Sequence, residues 1–299
     1  MSTSPRLSLE ADVGDLVARL TESSPGRRAG SPDVVAQLKQ SLKRPLDHFV
    51  CVEADVDPSV DVIRRFAREH ATDIEVGVRV LSKLLGIPAL RVTSESHPRA
   101  ARVYPRLEPS LLIRQLFARR LAFGKLPTDV GVFFIDAITC AHVGAVAEGR
   151  APADVTIVVD DHTTLKRHRT HALAHDTVAD VLSRCGIDPM TDRILSGPTI
   201  TERYVSLDAR ATDTDLWLHL VAPNRAALSA ACTRCGNCAE ACPVLLQPAM
   251  LLDAAQRRDP HAHDRHGAAR CVECGLCTLS CPSELPLLAS IRELKTLAS

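Results

Sequence analysis

The chain has 299 residues, with 36 Lys and Arg against 36 Asp and Glu and only 3% aromatic residues. Balanced charge gives no long-range pull toward nucleic acid or anionic lipid, and scarce rings leave no stacking platform for single strands. Apolar residues at 45% and charged residues at 24% belong to a folded globular chain whose core is built from Leu, Val, Ile and Ala.

The opening MSTSPRLSLEADVGD has no basic segment followed by an apolar run, so no export signal is expected. The longest apolar run, VGVFFIDAITCAHVGAVA, is broken by Asp136 and His142 and falls short of the roughly 20 residues that cross a bilayer. A soluble, reducing compartment is the resulting expectation. There, eleven cysteines point to metal ligands or reactive groups rather than disulfides.

Residues 1–25 read as a peripheral amphipathic helix, Leu7 to Leu20, running into the loop SSPGRRAGSPD. Over 26–150, strands (DHFVCVEA, PALRVTSE, VGVFFIDA) alternate with helices (SVDVIRRFAREH, DIEVGVRVLSKLLG, PSLLIRQLFARRLA, TCAHVGAVAEG), which predicts an α/β layered unit. Over 151–222, ADVTIVVDD and KRHRTHALA read as paired strands and DTVADVLSRCGI as a short helix ended by Gly186. RILSGPTI and DLWLHLV read as further strands, and the whole predicts a small β-grasp-like unit. Residues 223–299 form a third, cysteine-rich unit.

Eight of the eleven cysteines lie there, in two copies of one pattern. CTRCGNCAEACP carries Cys232, Cys235, Cys238 and Cys242; CVECGLCTLSCP carries Cys271, Cys274, Cys277 and Cys281. Each reads C-x2-C-x2-C-x3-C-P, the bacterial iron–sulfur run. Three thiolates at this spacing on a curled loop reach three corners of one cubane. Gly236 and Gly275 supply backbone freedom inside the loops, and Pro243 and Pro282 pre-set φ where a new helix starts. In two-cluster proteins the fourth cysteine of each run serves the other cluster. That assigns Cys232, Cys235, Cys238 and Cys281 to one [4Fe–4S] cluster, and Cys271, Cys274, Cys277 and Cys242 to a second. Zinc is the competing reading, but zinc ribbons pair two CxxC knuckles and lack the third evenly spaced cysteine. Apolar residues at helical spacing between the runs predict a helical dicluster module. Cys51, Cys140 and Cys185 sit in apolar surroundings and read as buried, inert thiols. His261, His263 and His266, with Asp264, read as a solvated loop, and His168, His171 and His175 lack an HExxH arrangement.

The cysteine runs, together with YPRLEPSLLIRQLFARRLAFGKLPTDVGVFFIDAITCAHVGAVAEGRAP, resemble the C subunit of the Rnf electron-transport complex. Residues 151–222 resemble that family's SLBB β-grasp domain. The order also resembles cobalamin-reductase relatives of bacterial microcompartments and, more distantly, the NADH-oxidising flavoprotein subunit of complex I. The resemblance implies three units: a Rossmann-like α/β scaffold for FMN, an SLBB β-grasp domain and a helical dicluster ferredoxin domain. It also implies protein redox partners within a larger electron-transport complex, and a cytoplasmic site peripheral to a membrane or microcompartment assembly.

The flavin positions it implies are Gly30, Asp55, Asp57, Glu108, Asp136 and Thr139. Several depart from the family pattern. In PGRRAGSPD, Ala29, Gly30 and Pro32 match a GxGGAGFPT loop, but Pro25, Arg27 and Arg28 stand where the family has glycines. In VEADVDP, Val52 replaces a flavin-binding Asn, and Asp136 replaces the Asn of NxxT while Thr139 is kept. A GGPM turn appears as SGPT, Ser196 to Thr199. Departures concentrated at one pocket favour weak or absent flavin binding. The leading expectation is an iron–sulfur electron-transfer subunit. The alternatives are an FMN-dependent NADH dehydrogenase-type input subunit, and a scaffold whose clusters are structural.

Overall fold

The computed structural model describes residues 9–23, 31–55, 57, 59–93, 96, 104–105, 108–122, 124–173, 175–188, 193–201, 203–221, 231–259, 261 and 265–297. The first part contains α1 (Leu9–Ser23), α2 (Val34–Ser41), β1 (His48–Val52), α3 (Ile63–Glu69), α4 (Ala71–Leu85) and β2 (Ala89–Val92). It continues with α5 (Pro109–Phe117), β3 (Val132–Asp136) and α6 (Ala137–Ala147). The strands form a parallel sheet in the order β2-β1-β3. HFVCV and VFFID are continuously apolar or buried because both faces of this sheet are covered. Phe49, Cys51, Phe133 and Ile135 face a core shared with α1, α4 and α6. Val50, Val52, Val132 and Phe134 face Leu112 and Ile113 of α5. The outer edge of β3 is closed by a buried side chain. Gln37 donates from Nε2 to Phe134 O at 2.9 Å and accepts from Phe134 N at 2.9 Å, completing ladder bonds that an edge strand lacks.

Helices α4 and α6 approach until backbone meets backbone, since a Cβ on Gly77 would overlap the carbonyl of Cys140 and one on Gly144 that of Asp73. Two sequence expectations are corrected in this part. The N-terminal helix is not peripheral: Val13, Leu16 and Leu20 are at most 3% exposed and join the main core. The helix read through PSLLIRQLFARRLA stops at Phe117, because Ala118 turns to φ 55°. Arg119 then pairs with Asp47 at 2.7 Å and donates to Val130 O at 2.6 Å, drawing the chain back toward β3.

The second part contains β4 (Val155–Asp161), β5 (Lys166–Ala172), α7 (Val178–Arg184), β6 (Arg193–Ser196) and β7 (Trp217–Val221). Two antiparallel pairs, the β4–β5 hairpin and the more distantly connected β6–β7, are joined by a parallel β4–β7 pairing at the centre, in the order β5-β4-β7-β6. This is a β-grasp arrangement with α7 against one face. Val155, Ile157, Val159 and Leu182 belong to the same apolar core as the first sheet.

The helical end contains α8 (Asn237–Glu240), α9 (Pro248–Gln256), α10 (Leu276–Leu279) and α11 (Leu287–Leu297). Its core is separate: Leu246, Leu251, Leu252, Leu287, Ile291 and Leu294 surround Cys271 and Cys277. Its two halves repeat at a spacing of 39 residues, cysteine for cysteine. The backbone repeats as well, with left-handed residues at Arg234 and Glu273, at Gly236 and Gly275, and at Leu245 and Glu284. Of the histidine-rich insert, His261 and His266 lie in turns, while His263 and Asp264 are outside the described residues. Among the described residues, no helix is long and apolar enough to cross a membrane.

Two histidines are carried into the core. His142 on α6 sits 3.2 Å from Ser23 Oγ, and burial pushes its pKa down to about 4. His219 on β7 lies against Trp217 and His162; burial pushes it down to about 4, although Asp160 opposes the shift. At neutral pH both are neutral in the folded chain and mostly neutral in the unfolded one. Below about pH 6.5 the unfolded chain takes up protons that the folded chain refuses until about pH 4, so stability falls through that window. Each withheld proton contributes at most about 1.4 kcal/mol per pH unit. Thermal unfolding followed between pH 7 and 4 is expected to show this loss, and His142→Gln to flatten it.

Candidate metal centre and adjoining cavity

Cys242, Cys271, Cys274 and Cys277 line one apolar pocket, together with Val244, Leu246, Leu288 and Ile291. The fold therefore turns the last cysteine of the first run toward three of the second. Cys271, Cys274 and Cys277 are buried. Burial pushes the Cys274 thiol up to about 11 and the Cys277 thiol up to about 12, with the neighbouring thiols adding to both shifts. Such thiols stay protonated until a metal centre takes them as thiolates, so loading releases protons. Backbone N–H groups already reach this sulfur set: Leu246 N donates to Cys242 Sγ at 3.3 Å and Glu273 N to Cys271 Sγ at 3.4 Å. The left-handed turns at Glu273 and Gly275 bend the loop around the sulfurs. The other four cysteines sit nearer the surface, with Cys232 and Cys235 exposed and Cys238 and Cys281 half-buried. Among the described residues no group of His, Cys, Asp and Glu is spaced for a single metal ion; thiolates around a cubane stand further apart than thiolates around one zinc.

A charged cluster backs the quartet that lines this pocket. Lys295 Nζ donates to Cys271 O at 2.8 Å and to Glu273 Oε1 at 2.9 Å, while Arg292 Nε donates to Glu273 Oε2 at 2.8 Å. Burial opposes ionisation of Glu273, but its bonds to Lys295 and Arg292 outweigh that and hold its carboxyl below the ordinary range. Sequence reading missed this cluster, because a Lys and an Arg on an amphipathic helix look like any solvated face.

Beside the quartet lies a cavity of about 680 Å3, walled by the C-terminal ends of the first sheet, the Gly197–Pro198 turn of the β-grasp part and the segment from Ala269 to Cys274. Four of the residues singled out from sequence meet here: Asp55, Asp57, Glu108 and Asp136. Thr139 is tied to this group, donating from Oγ1 to Asp136 Oδ2 at 2.8 Å. Gly30 lies outside the described residues. The carboxylates have work of their own. Asp136 caps α6, accepting from Ile138 N at 2.9 Å and Thr139 N at 3.0 Å, with Ser31 Oγ at 2.5 Å. Asp55 accepts from Val62 N at 3.0 Å, Ile63 N at 2.8 Å and Arg64 N at 3.3 Å at the start of α3. Glu108 caps α5 through Leu111 N at 2.9 Å. Asp57 closes a local turn with Ser59 N at 2.8 Å. Of the three cysteines outside the runs, Cys51 and Cys140 are buried, Cys140 donating from Sγ to Ile74 O at 3.6 Å, and Cys185 is half-buried.

A family model described as a 4Fe-4S dicluster domain matches residues 228–285. The C subunit of the proton-translocating ferredoxin:NAD(+) oxidoreductase complex of Clostridium ljungdahlii is 24% identical over 236 residues, covering 71% of this chain and 52% of that protein. The C subunit of the ion-translocating oxidoreductase complex of Rhodobacter capsulatus is 26% identical over 262 residues, covering 78% and 49%. Its namesake in Vibrio cholerae is 25% identical over 250 residues, covering 75% and 32%. The chain is thus similar to these C subunits over most of its length, at 24–26% identity. It spans about half the length, or less, of these curated relatives. A solved NAD+-reducing [NiFe]-hydrogenase in the H2-reduced state shares the fold, with a TM-score of 0.51 at 13% identity over 97% of this chain and 64% of that one.

The two cofactors implied by an Rnf C-subunit-like chain fare differently against these residues. Eight thiols on paired left-handed loops, four of them around one apolar pocket, fit two [4Fe–4S] clusters. The phosphate of FMN is a dianion, and a helix start with free N–H groups is one ready-made place for it. Among the described residues, the helix starts facing the cavity are already filled by Asp136, Asp55 and Glu108. A phosphate in this cavity would have to be held by side chains of the lining, such as Lys125, Arg203 or Arg270, rather than by those helix starts.

The loop of the second run also docks on the β-grasp part. Gly275 has φ 78°, and a Cβ there would overlap the carbonyl oxygen of Ile200; Gly236, with φ 87°, faces open space. Gly236→Ala is expected to cost about 1 kcal/mol of left-handed strain. Gly275→Ala is expected to cost clearly more, read as the drop in Tm of iron-loaded protein. Equal drops would contradict the docking.

Proposed function

We propose that this chain is an electron-transfer subunit that passes electrons through two [4Fe–4S] clusters between protein redox partners in a larger complex. Cys232, Cys235, Cys238 and Cys281 would hold one cluster, and Cys242, Cys271, Cys274 and Cys277 the other. The observation that carries this reading is the meeting of Cys242 with the three thiols of the second run in one pocket. When bound, such clusters supply one-electron exchange with little change of shape. The chain's own part is to hold and insulate them. Val244, Leu246, Leu288 and Ile291 keep water from the inner site, and N–H groups aimed at sulfur stabilise its negative charge. Exposure of Cys232 and Cys235 leaves the outer site reachable by a docked partner. The crossed cysteines tie both loops into one body, which suits a short path between the sites.

The β-grasp unit is read as an SLBB domain, and the chain as peripheral to a complex of the kind named for its relatives. A flavin-dependent NADH input is the second reading, supported by the cavity reaching the Cys271–Cys274 loop. The carboxylate caps weigh against it. The decisive experiment is anaerobic purification with iron, acid-labile sulfide and flavin assays. The proposal expects about eight irons and eight sulfides per chain, with flavin well below stoichiometric. Zinc without sulfide overturns the proposal; stoichiometric FMN bleached by NADH installs the second reading in its place.

A further inference from the structure

We infer that Lys295 on α11 is the fixed positive charge that raises the reduction potential of the inner cluster toward that of the outer one. The inference rests on the electron-transfer reading above and concerns how that path is tuned.

Burying a lysine costs more than burying most residues, and Lys295 is 7% exposed. Balancing Glu273 does not require it, because Arg292 already bonds that carboxylate at 2.8 Å. Lys295 adds a second cation and places it 2.8 Å from the backbone oxygen of Cys271. The sulfur of that same residue lines the apolar pocket with Cys242, Cys274 and Cys277.

The internal repeat supplies a comparison within the molecule. Thirty-nine residues before Glu273, Arg292 and Lys295 stand Arg234, Asp253 and Gln256. The three positions carry one net positive charge in the second half and none in the first. Asp253 pairs outward with Arg257 at 3.6 Å. The buried cation is thus a property of one half alone.

An added electron makes a thiolate-bound cluster more negative. In a dry pocket that change is poorly solvated, so burial by itself lowers the potential. A fixed ammonium nearby favours the reduced form and offsets the burial. Lys295 therefore keeps the inner site reducible at potentials where the outer, wetter site also works. It acts through the protein around the sulfurs and is a positioning residue.

The test is an EPR-monitored redox titration of the anaerobic holoprotein. Lys295→Met, which preserves most of the apolar stem, is expected to lower one midpoint and leave the other in place. At the original midpoint, the reduced-to-oxidised ratio of that cluster should fall about tenfold, equivalent to 59 mV for one electron. Lys295→Arg should restore most of the shift. Should Lys295→Met fail to load, Glu273→Gln answers the same question with the opposite sign, raising that midpoint. Two unchanged midpoints, or two that move together, overturn the inference while leaving electron transfer standing. The absence of any reducible cluster would instead remove the reading on which it rests.

Discussion

The constraint on which the rest depends is the convergence of four thiols drawn from two distant loops. Cys242 ends the first run, yet it lies with Cys271, Cys274 and Cys277 inside a wall of Val244, Leu246, Leu288 and Ile291. Bringing it there requires the repeat. Each run must curl through left-handed residues, and α9 and α11 must pack as a pair behind the loops. Buried thiolates would not repay their desolvation without a metal centre to take them, so folding and loading of this end are coupled. The contact of Gly275 with Ile200 fixes the inner loop against the β-grasp part and makes that loop one wall of the large cavity.

The cavity shows how residues that line a ligand-sized space also serve local structure. A helix start needs its first N–H groups satisfied, and it accepts an external anion or an internal carboxylate. Here the internal solution prevails at Asp136, Asp55 and Glu108. The α/β scaffold is kept, and its described helix starts are closed to a dianion. The tail works by another electrostatic rule. Lys295, Glu273 and Arg292 form a charged cluster whose buried member, Lys295, bonds to the backbone oxygen of Cys271.

Much of this was legible in the sequence because the relevant spacing is local. The cysteine runs announce their chemistry, since cubane ligation imposes a fixed short spacing. The apolar runs HFVCV and VFFID could be read as strands because a parallel sheet covered on both faces needs no alternation. The strands flanking α7 carried ordinary strand patterns. What escaped the reading depends on distant partners. An amphipathic pattern shows that α1 has an apolar face but not that Leu16 and Leu20 will meet the main core. The hydrogen bond from Cys140 Sγ to Ile74 O joins α6 to α4 across 66 residues of chain. Acidic residues at Asp55, Glu108 and Asp136 looked like ligands, whereas their bonds are to backbone N–H groups that only the folded chain brings near. Lys295 reaches Glu273 across a chain turn that no periodicity records.

The most direct test of crossed ligation compares Cys238→Ser with Cys242→Ser by EPR of the reduced, anaerobically prepared protein. The two residues lie one helical turn apart in the same run, but the account assigns them to different clusters. It predicts that the two variants perturb different clusters and so leave distinguishable spectra. Identical spectra from the two variants would mean that each run serves its own cluster, and would contradict the account.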